Sequence, residues 1–306
     1  MNRICLLLMM FSFWSLSTSA SAALHVVTTT TDLADIVSAI GAEHVDVESI
    51  TRGTQDPHYI QPKPSYMVKL SRADLLVSVG LELEVGWLPS LVQGARNPSI
   101  LPGTRGFLDA SNAVTPLEVP TGPVDRSQGD VHPLGNPHYW LDPANGKKVA
   151  ALVASRLSEL DAEHSRSFED RLGAFNRGID AATLRWEKAM EPFKGSKVVS
   201  YHRTFNYFFQ RFGLMPIGYV EERPGIPPGP SHAAQLIRQM RSDGVRVLFH
   251  ENYFDRATSD LIASKTSATV LSLPTSVGGS AAATRYEALI DTLVQSFVRA
   301  ATEAGR

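Results

Sequence analysis

The architecture of this chain is set by one stretch, residues 168–192, which reads FEDRLGAFNRGIDAATLRWEKAMEP. Apolar residues recur through it in steps of 4, 3, 4, 3, 4 and 3, at Phe168, Leu172, Phe175, Ile179, Ala182, Trp186 and Ala189. These steps place them on one face of a helix, and Pro192 ends it because proline lacks the amide hydrogen that the next turn needs. We therefore predict one helix of about 25 residues, roughly 38 Å long at about 1.5 Å per residue.

On both sides of this helix, short β-branched runs alternate with helical patterns, which is typical of parallel sheets flanked by helices. Strands are predicted at residues 25–29, 45–50, 74–79, 197–201, 245–250 and 270–273. A later helix is predicted to run to Met240 with Ser231 as its N-cap, because a serine hydroxyl can accept from the first free amides of a helix.

The predicted fold class is therefore α/β, with two lobes joined by the long, rigid helix and a mostly parallel sheet flanked by helices in each lobe. We place the N-terminal lobe at residues 23–163, the linking helix at 164–193 and the C-terminal lobe at 194–306.

Residues 1–22 are typical of a secretory signal peptide. Arg3 precedes an apolar run at residues 5–16 that is too short to span a membrane, and Ala20-Ser21-Ala22 is a small-residue cleavage site. Cys5 precedes the apolar run, whereas the cysteine of a lipoprotein signal follows it. We predict cleavage after Ala22 and a cysteine-free periplasmic protein without a lipid anchor; the alternative is an uncleaved anchor.

Composition excludes several classes of protein. The chain has 306 residues, of which 43% are apolar and 20% charged, and its net charge is −2. These values rule out collagen-like, disulfide-rich and disordered chains, and the balanced charge gives no support for a nucleic-acid partner. The G-x-G-x-x-G, P-loop, G-x-S-x-G and C-x-x-C patterns are absent, and His250-Glu251 is followed by Phe254 where a zinc-peptidase motif needs histidine.

A motif of the form [DN]-P-H-Y occurs twice, at residues 56–59 and 136–139. Proline restricts its own backbone and that of its predecessor, so each motif presents its histidine from a stiff loop. A metal site needs ligands that are held in place before the ion arrives. We predict His58 and His138 to be metal ligands; the alternative is two surface turns that carry histidine.

Further candidates stand at the carboxyl ends of predicted strands, where open α/β sheets bind their ligands. His202 follows one buried strand, and His250 and Glu251 end the next. For His202 the alternative is a histidine satisfied at the rim of the core. For Glu251 a salt bridge or a helix cap is an equally good interpretation.

Together these features resemble the zinc- and manganese-binding solute receptors of bacterial ABC importers, the cluster A-I or ZnuA-like and TroA-like proteins. The resemblance is carried by the signal, the long helix, the first [DN]-P-H-Y loop, the segment NPHYWLDP at 136–143 and the segment VVSYHRTF at 198–205. It implies a metal ion between two lobes, with His58, His138 and His202 as its first three ligands. It also implies an inner-membrane permease as partner, a periplasmic zinc chaperone as a further candidate partner, and a monomer.

The fourth ligand departs from the family pattern. Many members carry an acidic residue in a T-D-S-like segment, where this chain has Leu273-Pro274-Thr275-Ser276. Glu251, Asp56, a water molecule or an unidentified residue are the alternatives, and we favour Glu251.

The loop at 110–137 stands where zinc-binding members often carry a histidine-rich loop. It is proline- and glycine-rich and contains only His132, with Asp125 and Asp130 nearby. Loops of this length are usually functional or mobile. We interpret it as a lid; the alternative is a vestigial metal-scavenging loop.

Three imidazoles and one oxygen form the tetrahedral site that Zn²⁺ prefers, whereas Mn²⁺ prefers more oxygen ligands. We therefore predict a non-enzymatic zinc receptor, with a manganese receptor as the alternative. An exported zinc hydrolase would use Glu251 as general base on an ion-bound water. An adhesin or other interaction module would bind no specific metal. Metal content, measured together with hydrolytic activity, separates these interpretations.

Overall fold

The computed structural model describes residues 22–124, 129 and 131–305. The predicted signal peptide lies almost wholly outside the described residues, as do Asp125 and Asp130. Over the described ranges, none of the helices has the length and apolar character needed to cross a bilayer.

The first half of the chain forms a four-stranded parallel sheet of order β2-β1-β3-β4. Its strands are β1 (Leu24–Thr28), β2 (Val45–Ser49), β3 (Leu75–Ser78) and β4 (Phe107–Asp109). Its helices are α1 (Thr31–Gly41), α2 (Pro64–Arg72), α3 (Leu88–Ala95) and α4 (Pro143–Leu160). Every residue of β3 is buried, as expected of an inner strand with both faces covered.

The second half repeats this arrangement in a four-stranded parallel sheet of order β6-β5-β7-β8. Its strands are β5 (Lys197–Ser200), β6 (Met215–Tyr219), β7 (Val247–Glu251) and β8 (Thr269–Leu273). Its helices are α6 (Asn206–Phe212), α7 (Pro230–Asp243), α8 (Ala257–Thr266) and α9 (Tyr286–Ala304). The equivalent order of the two sheets confirms the predicted α/β fold with two lobes.

A single 26-residue helix, α5 (Ser165–Met190), lies between the two sheets in the chain, as predicted. It packs on α1 and α4 of the first lobe and on α9 of the second. Trp186 is buried in this packing and donates from Nε1 to Asp291 of α9 at 3.1 Å. The lobe limits at 163 and 194 stay a prediction, since α5 shares its apolar face with both lobes.

The lobes are tied a second time where α1 begins. The Thr31 hydroxyl donates to the carbonyl oxygen of Val277 at 2.7 Å, and the amide of Val277 donates to Asp32 at 2.9 Å. The amide of Tyr286 donates to Asp35 at 2.8 Å. Because these bonds join the first lobe to the segment between β8 and α9, they restrict movement of one lobe against the other.

Two local features differ from the sequence-based expectation. Ser231 is not the N-cap of α7: the helix begins at Pro230 and Gly229 precedes it, because proline favours the first helical position. Strand β6 was not predicted, since Pro216 and Gly218 interrupt its β-branched pattern. Proline is tolerated there because β6 is an edge strand.

Candidate metal centre

Three of the four predicted ligands meet between the lobes. His58, His138 and His202 each offer a ligand atom, and these atoms all lie within 4.8 Å of one another. Their ring centres are 5.1 Å apart for His58 and His138 and 5.4 Å apart for the other two pairs. Imidazoles bound tetrahedrally at about 2.1 Å have ring centres about 5 Å apart, so the spacing suits a shared ion.

The first motif orients His58 in the loop between β2 and α2. Asp56 Oδ1 accepts from the backbone amide of His58 at 3.0 Å and from its ring Nδ1 at 2.7 Å. Burial acts to raise the pKa of Asp56, but the hydrogen bonds and charge of His58 outweigh it, so the pKa lies below its ordinary value. Because the carboxylate accepts at Nδ1, His58 presents its Nε2 atom, which is buried without a partner.

The second motif repeats this geometry on the way into α4. Asn136 Oδ1 accepts from the backbone amide of His138 at 2.9 Å and from its Nδ1 at 2.8 Å. The Nε2 atom of His138 is likewise buried without a partner. Burial, followed by the neighbouring charges of His58, His202 and His132, lowers the pKa of His138 well below its ordinary value, so the ring is neutral and able to bind metal.

The amide of Asn136 is itself held in one orientation. Its Nδ2 donates to Glu118 Oε2 at 2.7 Å and to the carbonyl oxygen of Arg203 at 2.9 Å. Glu118, whose φ is 53°, also accepts from Arg203 and Asn206 of the second lobe at 2.7 Å each. This network links the loop that carries His138 to the segment after His202. Sequence reasoning missed it because Glu118 lies 18 residues from its first partner and 88 from its last.

His202 is positioned by the second sheet. It follows the carboxyl end of β5, and its Nδ1 lies 2.8 Å from Glu221 Oε2 in the loop after β6. Both side chains are almost completely buried. Glu221 was not identified from the sequence, because β6 was not predicted and no local motif marks its end.

Known proteins agree with this architecture. The chain matches the profile of the family described as ZnuA, zinc-uptake complex component A periplasmic, over residues 26–300. The chain belongs to this family.

Individual relatives share about 30% sequence identity with this chain. The manganese ABC transporter substrate-binding lipoprotein PsaA of Streptococcus pneumoniae is 29% identical over 245 residues, which are 78% of this chain and 75% of that protein. The high-affinity zinc uptake system protein ZnuA of Brucella abortus is 33% identical over 118 residues, or 39% of this chain and 35% of that protein.

Solved structures show the same fold. A crystal structure of ZnuA has a TM-score of 0.75 and 24% identity, covering 91% of this chain and 99% of that one. A manganese-bound periplasmic metal-binding protein from Candidatus Liberibacter asiaticus has a TM-score of 0.74 and 21% identity, covering 90% and 98%.

In this member of the zinc-uptake family, Glu251 does not join the three histidines. It ends β7 fully buried, with its carboxyl beside Thr204 and the backbone of His202. Burial raises the pKa of Glu251 to about 8, so the carboxyl is largely neutral at pH 7. Within the described ranges the group of candidate ligand atoms contains no carboxylate. Both oxygens of Glu251 are buried without a hydrogen-bond partner, and its role as fourth ligand stays a prediction.

Asp56 was the other residue named as a fourth-ligand candidate, and Thr275 stands where many family members carry an acidic ligand. Asp56 Oδ1 is occupied by His58. Thr275 is buried and its carbonyl oxygen accepts from Trp140 Nε1 at 2.8 Å, so this segment serves the contact between the lobes.

His132 of the 110–137 loop lies over the histidine cluster. Its ring centre is 5.4 Å from that of His58 and 6.4 Å from that of His138. It lines two cavities, one of about 400 Å³ beside His202 and one of about 520 Å³ beside His58. His132 therefore lies between two openings to the cluster, and the lid interpretation of the loop stays a prediction.

Proposed function

We propose that this protein is the periplasmic zinc receptor of an ABC importer, which binds Zn²⁺ between its lobes through His58, His138 and His202. The observation that carries the proposal is the convergence of three imidazoles whose Nδ1 atoms are each held by an oxygen, from Asp56, Asn136 and Glu221. An oxygen at Nδ1 leaves Nε2 free to bind metal, which is the usual outer-shell arrangement of a metal-binding histidine.

Zinc is favoured over manganese by the donor atoms. The convergent group is made of nitrogen donors, which suit a four-coordinate Zn²⁺ site, whereas Mn²⁺ is favoured by carboxylates and higher coordination. Membership of the zinc-uptake family supports the same choice. Manganese remains the competing cargo because PsaA, which is named for manganese, resembles most of this chain.

The ion would join the two lobes. His58 and His138 belong to the first lobe and His202 to the second, so a bound ion adds a third connection to α5 and to the contacts of α1. We propose that binding orders the cleft with little change in the angle between lobes. The membrane permease would then recognise the surface around the cleft, which differs between the metal-bound and metal-free protein.

Receptor function is favoured over hydrolysis by the position of Glu251. A general base must reach a water molecule on the ion, and Glu251 is fully buried outside the group of ligand atoms. We propose that the protein does no chemistry on its cargo.

Location and assembly complete the proposal. We propose that residues 1–22 are removed on export, that the mature chain is a periplasmic monomer, and that it delivers zinc to an inner-membrane permease. A periplasmic zinc chaperone is a further candidate partner. The family description as a periplasmic component supports the location.

Metal analysis of protein recovered from the periplasm tests the function. We expect one tightly bound zinc per chain and loss of this zinc in His58→Ala and His202→Ala. His25→Ala is the matched control, since His25 is half exposed and its ring pairs with Asp46. Unchanged zinc content in both cluster variants would refute the site, and zinc-dependent hydrolytic activity would favour the enzyme instead.

A further inference from the structure

We infer that His132 is the fourth ligand of the ion, so that all four protein ligands of the site are imidazoles. This inference rests on the proposed function, because it concerns the same ion. It assigns the loop a direct part in choosing the metal, beyond covering the cleft.

The ring of His132 stands beside the cluster, although its nitrogens lie outside the group of ligand atoms that come within 4.8 Å of one another. Its separation from His58 is 5.4 Å, the same as that between His58 and His202. Its separation from His138 is larger, 6.4 Å, so His132 must move inward to share an ion with the other three histidines. The other three rings need no such adjustment.

The free nitrogen of His132 matches those of the cluster. Its Nε2 is buried without a hydrogen-bond partner, as are the Nε2 atoms of His58 and His138. The ring makes a hydrogen bond with the backbone of Leu81. A histidine that is anchored on one side and has an unpartnered, buried nitrogen on the other is prepared to bind a cation, because burying that nitrogen unpaired costs free energy.

The backbone that anchors His132 is held in an unusual conformation. Gly80, Leu81 and Glu82 all have positive φ, at 82°, 51° and 65°. Two of the three carry side chains, and such residues persist in this region only where the surroundings enforce it, often at binding sites.

Glu84 is what enforces this turn. Its carboxyl accepts from the amides of Val79 at 2.7 Å and Gly80 at 3.1 Å, and from the Thr29 hydroxyl at 2.6 Å. The first lobe thus fixes the turn, and the fixed turn places the ring of His132.

Four nitrogen donors would sharpen the choice of metal. Zn²⁺ accepts four imidazoles in a tetrahedron, whereas Mn²⁺ is favoured by oxygen donors and higher coordination. Loss of His132 should therefore weaken zinc more than manganese and reduce the preference between them.

The test compares His132→Ala and His132→Phe with Leu134→Ala. Phenylalanine keeps a planar ring over the cleft but cannot bind metal, and Leu134 is a 55% exposed residue of the same loop. Affinities for Zn²⁺ and Mn²⁺ are measured by competition with a chromophoric chelator. X-ray absorption at the zinc edge counts the imidazoles.

We expect four nitrogen ligands at about 2.1 Å in the unmodified protein and three in both His132 variants. Zinc affinity should fall in both by at least the roughly 10- to 100-fold typical of losing an outer-shell partner, with a smaller change for manganese. Leu134→Ala should behave as the unmodified protein. Three imidazoles in the unmodified protein, or full zinc affinity in His132→Phe, would overturn the assignment and leave His132 as a lid only.

The two proposals fail in different ways. If His58→Ala abolishes zinc binding while both His132 variants retain it, the receptor function stands and only the fourth ligand is wrong. If His58→Ala also retains zinc, the proposed site itself falls.

Discussion

Exchanging Asp and Asn at the first position of each histidine motif should have unequal consequences for stability, although the two side chains differ by one group. Asp56 and Asn136 each accept from the amide and ring of the histidine two residues on. Only Asn136 also donates, from Nδ2, to Glu118 and to the Arg203 carbonyl. Asp56→Asn keeps the acceptor that orients His58, whereas Asn136→Asp replaces a buried donor with an oxygen facing two acceptors.

The cost of Asn136→Asp follows from these contacts. The new carboxylate oxygen would lie about 2.7 Å from Glu118 Oε2, in a position where Asn136 is 6% exposed. Two partly buried hydrogen bonds are lost and two like charges meet, although Arg203 beside Glu118 and the partial exposure of Glu118 offset part of the repulsion. We expect the metal-free protein to lose about 1–3 kcal/mol of stability at neutral pH, the range found when a buried polar group loses its partner.

Urea unfolding of the metal-free variants at about pH 8 and about pH 5.5 measures this. A proton shared between the introduced carboxyl and Glu118 would restore one donor, so the loss should shrink at the lower pH. Asp56→Asn should change stability by less than about 1 kcal/mol and reduce zinc affinity by less than about tenfold, since its acceptor geometry is retained. Equal stability of Asn136→Asp and the unmodified protein at about pH 8 would show that Nδ2 does not bridge to Glu118 as described.

Three further outcomes are expected. Burial raises the pKa of Asp32 from 3.8 to about 7, so its contribution to stability is complete below pH 3.8 and is lost as pH rises to about 7. Between about pH 5 and 8, urea titrations should show the unfolding free energy of the unmodified protein falling by about 3 kcal/mol more than that of Asp32→Asn. An equal fall in both proteins would contradict the raised pKa. Gly53→Ala would place a Cβ 2.1 Å from the carbonyl oxygen of Val277, so we expect a loss of about 1–3 kcal/mol by thermal unfolding, and unchanged stability would mean that the lobes are not in contact there. Zinc at about 100 times its Kd should add about 2.7 kcal/mol to stability in calorimetry but nothing to His58→Ala; an equal gain in that variant would place the ion elsewhere.

Local sequence patterns predicted most of the fold and three of the site residues. Helix α5 was predictable because its apolar residues recur at helical spacing, and the strands because their β-branched runs are short and bounded. His58 and His138 were identifiable because proline and a hydrogen-bonding Asp or Asn stand at constant distance from each, so the geometry of the motif is contained within four residues.

Residues whose partners are distant in the chain could not be identified in this way. Glu221 accepts from His202 in the loop after β6, a strand that was not predicted because Pro216 and Gly218 interrupt its pattern. Glu118 joins the two lobes through a hydrogen bond with Asn206, 88 residues away in the chain. Glu251 stands where a strand-end ligand belongs, yet its carboxyl is fully buried and is not among the ligand atoms that converge. Strand position alone predicts which edge a residue reaches but not which way its side chain turns.

The amino-acid sequence thus determined the features that depend on short-range spacing: the α/β class, the long helix and two histidines presented from stiff loops. Only the folded chain decided what meets in the cleft, since His132 and the three predicted histidines come from three separate segments, with His132 and His138 six residues apart in one of them. The physical reason is that periodicity and turn chemistry act over a few residues, whereas a metal site is assembled by the packing of two lobes on one helix. That packing brings the three histidines together and places the ring of His132 beside them.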